Sequence, residues 1–253
     1  MFKNSQRLMA KSSNSKSTII LDLEKLTLED REFIENNLPQ IYDGRTTKKD
    51  SKISAKFFLE KIKGWNEKQR IGVVAEFCLI CILRNHNFSQ EFCFNNLEEN
   101  SLKKGFDGLY LDENNKIWIA ESKASQKSEN KHKVNLRNAY NTLEKTLEGK
   151  SERKSNVWEN AYNHSRIVNA DDSLQKKLSN LSANYLKGIY TRIEDHKIII
   201  CSTVYNPDIN KVERSKDKIE EWIKTHISRQ ELAVIVTTNS INIIVNVLED
   251  IVQ

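Results

Sequence analysis

The chain has 253 residues, of which 40 are Lys or Arg and 35 are Asp or Glu, and its formal net charge is +5. This length suffices for one large domain or two small ones with a sizeable core. The mild positive charge is compatible with a polyanionic partner but does not require one. Because the chain contains only 7 Gly and 2 Pro, an all-β architecture with long loops is disfavoured and helices should dominate.

Residues 1–17 are polar, Ser-rich and basic, and they lack the apolar centre of a secretory signal. We expect them to form a flexible basic N-terminal arm that precedes a single α/β domain over residues 18–253. The longest apolar run, 72–83, is too short to span a bilayer. The four cysteines show no disulfide spacing, which is typical of a reducing compartment. Together these features predict a soluble cytoplasmic protein.

The first third of the chain carries helical periodicity bounded by capping residues. The pattern predicts, in order, a strand over 18–23, a helix over 28–37 with Thr27 as N-cap and a stop near Pro39, a helix over 55–63 capped by Ser54, and a longer helix over 67–84.

The longer helix is apolar around almost its whole circumference and should therefore be buried. It nevertheless carries Glu76. A buried carboxylate is costly unless it is paired or binds a metal. The alternative is that Glu76 lies in a partly exposed groove or bonds a neighbouring lysine.

The second half of the chain alternates helical stripes with two buried-strand signals. We predict helices over 134–147, 154–169 and about 174–189, with caps for the last among 171–173, then a strand over 197–204, a helix over 211–225, a strand over 231–238, and a helical or ambiguous apolar segment over 241–252.

The stretch 105–123 indicates two strands joined by a tight polar turn. Side chains alternate along a strand, so the pairing register decides which residues share a face. A three-residue loop pairs Leu111 with Ile117 and Leu109 with Ile119, and all four apolar side chains then lie on one face. A four-residue loop would divide them between the faces. The hydrophobic pattern therefore favours the three-residue loop.

The same register sets Asp107 opposite Glu121, with Cβ atoms about 5 Å apart, and Lys123 two residues further along that face. Like charges that face each other destabilise a sheet unless something compensates them. A divalent cation would do so, and the alternative is a solvated strand end with a salt bridge among these three residues. The Glu-x-Lys triplet alone is uninformative, because it recurs at 129–131 and 148–150 without a surrounding strand pattern.

A helix Glu, a Gly-x-Asp strand and a Glu-x-Lys strand followed by a helix resemble the PD-(D/E)xK nuclease superfamily. This resemblance implies an α/β fold with a central mixed sheet, an αβββαβ core over about 66–204 and additional helices, including a helical insertion over about 131–190. Phe106 stands where the family loosely keeps a proline. More narrowly, 72–76, 105–108 and 117–123 are similar to HamA-like proteins of the Hachiman anti-phage system, which are short nuclease-like proteins that work beside a helicase.

By this resemblance, Asp107, Glu121 and the backbone carbonyl of Ser122 would bind Mg²⁺ or Mn²⁺, since oxygen-only ligation suits a hard cation. The metal would polarise the scissile phosphate and lower the pKa of a bound water. Lys123 would position or activate that water and neutralise charge that develops on the phosphate. Glu76 would hold a metal-bound water or a second cation.

The function that the resemblance implies is metal-dependent hydrolysis of DNA, by the effector subunit of a bacterial defence system with a HamB-like helicase partner. Two alternatives stay open: a non-catalytic DNA-binding or scaffold subunit of the same fold, and a type II restriction endonuclease. The basic run after the second strand supplies candidate contacts to the DNA backbone, although a solvated helix face also explains it. These candidates are Lys127, Lys131, Lys133 and Arg137.

Overall fold

The computed structural model describes residues 2, 5–10, 13–95, 105–126, 131–151, 155–240 and 242–253. These residues contain eight α-helices and a seven-stranded sheet. The strands are β1 (Arg7–Ala10), β2 (Ser13–Leu23), β3 (Ser89–Gln90), β4 (Gly108–Leu111), β5 (Ile117–Gln126), β6 (Lys197–Tyr205) and β7 (Gln230–Thr238). The helices are α1 (Leu28–Asp43), α2 (Ser51–Ile62), α3 (Glu67–Asn85), α4 (Lys131–Leu147), α5 (Val157–Ile167), α6 (Asp172–Leu186), α7 (Lys216–Ile223) and α8 (Ile243–Val252).

The sheet is mixed, and its strand order is β1-β2-β7-β6-β5-β4-β3. The four strands β2, β7, β6 and β5 run parallel, while the pairs at both edges are antiparallel. The succession α3, β3, β4, β5, α4, β6 follows the predicted αβββαβ order. The predicted α/β fold with a central mixed sheet is therefore confirmed.

Helices cover both faces of the sheet. On one face α1, α2, α3 and α8 enclose a core that includes Trp118 and Ala120 of β5. On the other face α4, α5, α6 and α7 enclose a second core that includes Ile119. Successive residues of β5 thus belong to opposite cores, as the two-residue period of a strand requires.

The prediction that the first helix stops near Pro39 is wrong, because α1 continues through Pro39 to Asp43. A proline within a helix leaves the carbonyl four residues earlier without its usual N–H donor. Here that carbonyl belongs to Glu35, and the Ser51 hydroxyl donates to it at 2.6 Å. The helix ends instead at Gly44, which has a φ of +96° that favours glycine.

The first residues of α2 and α7 also differ from the sequence prediction. Asp50, rather than Ser54, caps α2: its carboxylate accepts a hydrogen bond from the Ile53 N–H at 2.7 Å, and Ser54 is buried within the helix. The helix predicted over 211–225 is shortened to α7 because a 3-10 turn and an extended segment precede it.

Much of the predicted flexible arm is ordered. β1 pairs with the first part of β2 at the edge of the sheet, and Phe2 is only 1 % exposed. The Phe2 N–H donates to the Asp30 carboxylate at 2.9 Å. β1 has only four residues, and the start of β2 is a run of Ser, Asn and Lys that has the composition of a loop. Composition alone therefore concealed it.

All four cysteines are buried free thiols. No helix within the described part of the chain is long and apolar enough to cross a membrane.

Candidate active site

The β4–β5 hairpin has the predicted register. Leu109 pairs with Ile119, and Leu111 pairs with Ile117. The Asp112 N–H donates to the Lys116 carbonyl at 3.1 Å, which leaves the predicted three-residue loop between them. The last loop residue, Asn115, has a φ of +55°, as a three-residue hairpin loop requires.

The β4–β5 ladder ends at the pair of Gly108 and Ala120, and two backbone contacts hold Asp107 beside Glu121. The Asp107 N–H donates to the Ala120 carbonyl at 3.0 Å, and the Asp107 carboxylate accepts a hydrogen bond from the Ser122 N–H at 2.7 Å. Asp107 is therefore anchored to both chain neighbours of Glu121. Two backbone contacts fix its position relative to β5.

Glu121 and Lys123 form an ion pair on the face of β5 that α4 covers. The Lys123 ammonium donates to Glu121 Oε1 at 2.6 Å, and Glu121 is only 4 % exposed. Burial alone would lower the pKa of Lys123, but the nearby carboxylates of Glu121, Asp107 and Glu76 raise it. All three predicted carboxylates thus act electrostatically on one ammonium group.

Glu76 lies on α3, which packs against the opposite face of the sheet. It is half-buried, so the partly exposed position considered from the sequence is the one observed. Its charge acts on Lys123 and on the phenol of Tyr110. The structure therefore brings the helix carboxylate to the hairpin from the other side of the sheet.

Tyr110 is a component of this site that sequence analysis missed. Its ring lies over Gly108, where an added Cβ would be 2.6 Å from Tyr110 Cε2, so only glycine fits beneath the ring. Burial raises the pKa of Tyr110, and the charges of Glu76 and Asp107 raise it further. The phenol is therefore neutral, and the charges of both carboxylates act on it. The signal in the sequence was the Gly-x-Tyr spacing, which puts both residues on one strand face.

A buried polar network lies beside Lys123 and was also missed. His132 Nδ1 is 2.8 Å from the Ser202 hydroxyl, and His132 Nε2 is 3.2 Å from the Thr237 hydroxyl. Burial lowers the pKa of His132 to about 3, and the Arg214 guanidinium contributes. Ser202 pairs with Lys123 across the β5–β6 ladder. Hydroxyl residues at the ends of two apolar strands were the signal for this network.

Three of the four predicted DNA-backbone candidates lie on α4. Lys133 and Arg137 are exposed one turn apart, and Lys131 is half-buried. Lys127 lies outside the described residues. Lys133 and Arg137 thus give α4 an exposed basic surface that begins next to the polar network.

The predicted metal ligands are chemically suited to a hard cation, since carboxylates and a backbone carbonyl are oxygen ligands that Mg²⁺ accepts. Within the described ranges, however, no three Asp, Glu, His or Cys side chains converge closely enough to hold a metal ion. The positive charge beside Glu121 in this arrangement is the Lys123 ammonium.

A comparison with protein-family models matches residues 13–252 to the HamA family. The match extends from the start of β2 to the end of α8 and includes Glu76, Asp107, Glu121 and Lys123. A search of curated proteins found no match.

Proposed function

The chain belongs to the HamA family, the family of the HamA subunit of the Hachiman anti-phage defence system, and from this premise we propose that it is the nuclease of that system. It hydrolyses DNA phosphodiester bonds with Mg²⁺ or Mn²⁺, and it works with a HamB-like helicase. The observation that supports this proposal best is the charge assembly on the hairpin: Lys123 held by Glu121, with Asp107 anchored alongside.

In this proposal Asp107, Glu121 and the Ser122 carbonyl would hold the divalent cation, and Glu76 would support it through a water molecule or hold a second cation. When bound, the cation supplies Lewis-acid polarisation of the phosphate and lowers the pKa of a water molecule. The Lys123 ammonium donates hydrogen bonds to the phosphate and offsets the negative charge that grows in the transition state. The low exposure of Glu121 strengthens these electrostatic interactions, because they act away from bulk water.

Catalysis is tested by incubating plasmid DNA with Mg²⁺, the protein and its helicase partner. Replacing Glu121→Ala together with Lys123→Ala should reduce cleavage at least about a hundredfold, because the double variant loses charges placed at the reacting phosphate. Circular dichroism and a melting curve show whether the variant remains folded.

The chain offers a matched control for this variant. Glu148 and Lys150 form the same Glu-x-Lys triplet with the same 2.6 Å ion pair, but in the turn that follows α4. Glu148→Ala with Lys150→Ala should leave cleavage unchanged. Equal cleavage by the wild type and the Glu121/Lys123 variant would refute the assignment of the active site. A wild type that does not cleave DNA in the presence of metal and partner would refute the nuclease function.

A second function, a non-catalytic DNA-binding or scaffold subunit of the same fold, is favoured by one observation. No three metal-ligating side chains converge within the described residues. A scaffold has no need to bind metal on the hairpin, so metal binding separates the two functions.

A further inference from the structure

A cavity of about 780 Å³ opens beside α4 rather than over Glu121. Its walls are the first turn of α4, the segment that follows β6, and α7. Four cationic side chains and two carboxylates line it, together with Trp222. The cations are Lys133, Lys211, Arg214 and Lys218. We call this cavity the basic groove.

Arg214 builds the wall of the basic groove. Its guanidinium binds both carboxylate oxygens of Asp22, at 2.6 and 2.9 Å, and donates to the carbonyls of Ile209 and Val212. These contacts tie the segment after β6 to β2. Arg214 therefore contributes charge and shape, and its removal would disturb the fold.

The three lysines can exchange their present contacts for a ligand. Lys211 is paired with Asp208 at 3.4 Å and Lys218 with Glu221 at 2.9 Å, and both lysines are well exposed. Exposed pairs of this kind contribute little stability, so they yield to a stronger anion. Lys133 is exposed on α4, and its charge helps Lys218 to lower the pKa of Glu221. The three ammonium groups thus surround one opening.

The basic groove adjoins the candidate active site through continuous contacts. Lys133 follows His132, whose ring bonds the hydroxyl of Ser202. Ser202 in turn pairs with Lys123. Both features lie toward the carboxyl ends of the parallel strands. The first turn of α4 therefore carries both Lys133 of the groove and His132, which bonds the β6 residue paired with Lys123.

We propose that the basic groove binds the sugar-phosphate backbone of a single nucleic-acid strand as it runs to or from the candidate active site. Lys133, Lys211 and Lys218 contact phosphates, and Trp222 provides an aromatic surface for an unpaired base. Lysines that follow a backbone beside an aromatic side chain are the combination used for single strands, because every base can stack. This inference deepens the proposed nuclease function and rests on it for the identity of the ligand.

Binding is measured by the fluorescence anisotropy of a labelled single-stranded DNA oligonucleotide, with EDTA present to prevent cleavage. The triple variant Lys133→Ala, Lys211→Ala and Lys218→Ala should bind roughly 10- to 100-fold more weakly at about 0.1 M salt. The slope of log affinity against log salt should become shallower by about 2, since each phosphate contact on a single strand contributes about 0.7.

The control removes the same charge from another surface. Lys52, Lys56 and Lys63 are exposed on or next to α2, which covers the opposite face of the sheet. Their replacement by Ala should leave binding of the oligonucleotide unchanged. An equal loss of affinity in both triple variants would show nonspecific electrostatic attraction and would overturn the proposal. Wild-type affinity in the groove variant would also overturn it.

A duplex of the same sequence tests the single-strand assignment. The wild type should bind the single strand more tightly, and a preference for duplex would overturn the assignment. Failure here is distinct from failure of the nuclease proposal. A protein that binds strands in the groove but never cleaves with metal and partner contradicts only the catalytic function, whereas cleavage without groove-dependent binding contradicts only the groove.

Discussion

Asp112 holds the hairpin that carries the candidate site, and its replacement by Asn has a predictable cost. One carboxylate oxygen accepts hydrogen bonds from the Asn114 and Lys116 N–H groups, at 3.0 and 2.9 Å. The other accepts from the Trp118 indole at 2.9 Å and from the Lys197 ammonium at 3.0 Å. Asp112 thus links the turn to β5 and β6.

The magnitude follows from the acidity of this carboxyl. Burial alone would raise the pKa of Asp112, but the donors on Trp118, Lys116 and Lys197 lower it from 3.8 to about 2. At about 1.36 kcal/mol per pKa unit, this difference corresponds to roughly 2 kcal/mol of stability. Because the folded-state pKa is depressed, that contribution is complete above the unfolded pKa near 4 and is lost as the pH falls toward 2.

Asp112→Asn should therefore lower the free energy of unfolding by about 2 kcal/mol at pH 7. Urea denaturation measures this difference, because urea is uncharged and does not screen the ion pair as a salt would. The difference from wild type should shrink as the pH falls from 4 to 2. Glu113→Gln, at the neighbouring exposed turn position, should change stability by less than about 0.5 kcal/mol. A cost for Asp112→Asn that is equally small, or that is independent of pH, would refute the reasoning.

Two further predictions concern regions that the sequence did not reveal. Phe2→Ala should destabilise the protein by about 3 kcal/mol, whereas Phe57→Ala, at a side chain that is 54 % exposed, should not. Equal urea midpoints for the two variants would contradict the ordered N-terminus. As the pH drops from 6.5 toward 3, His132 alone should lower the stability of the wild type by up to about 1.4 kcal/mol per pH unit, since its neutral imidazole becomes protonated on unfolding. His132→Gln should flatten this slope, and an unchanged slope would contradict a neutral imidazole.

The hairpin was predictable because its residues supply a strong local signal. Alternating apolar residues in both arms fit only a loop with an odd number of residues, and the resulting register brings Asp107 next to the chain neighbours of Glu121. The long apolar helix and the two buried strands were predictable for the same reason: their side-chain periodicity is local.

What the sequence concealed depends on contacts between distant residues. Pro39 remains within α1 because Ser51 bonds the carbonyl that it leaves unpaired. The N-terminus is ordered because β2 and Asp30 supply partners that composition does not reveal. In the sequence, His132 does not stand out from the other four histidines, because its two hydroxyl partners come from distant strands.

The measurement that tests the central claim most directly is a calorimetric titration of Mn²⁺ into the wild-type protein and into Asp107→Asn. The account predicts a binding isotherm for the wild type and its loss in the variant, with the Glu148→Ala and Lys150→Ala control binding as the wild type does. Absence of metal binding to the wild type, or equal binding by Asp107→Asn, would contradict a catalytic metal site on the hairpin and would favour the scaffold.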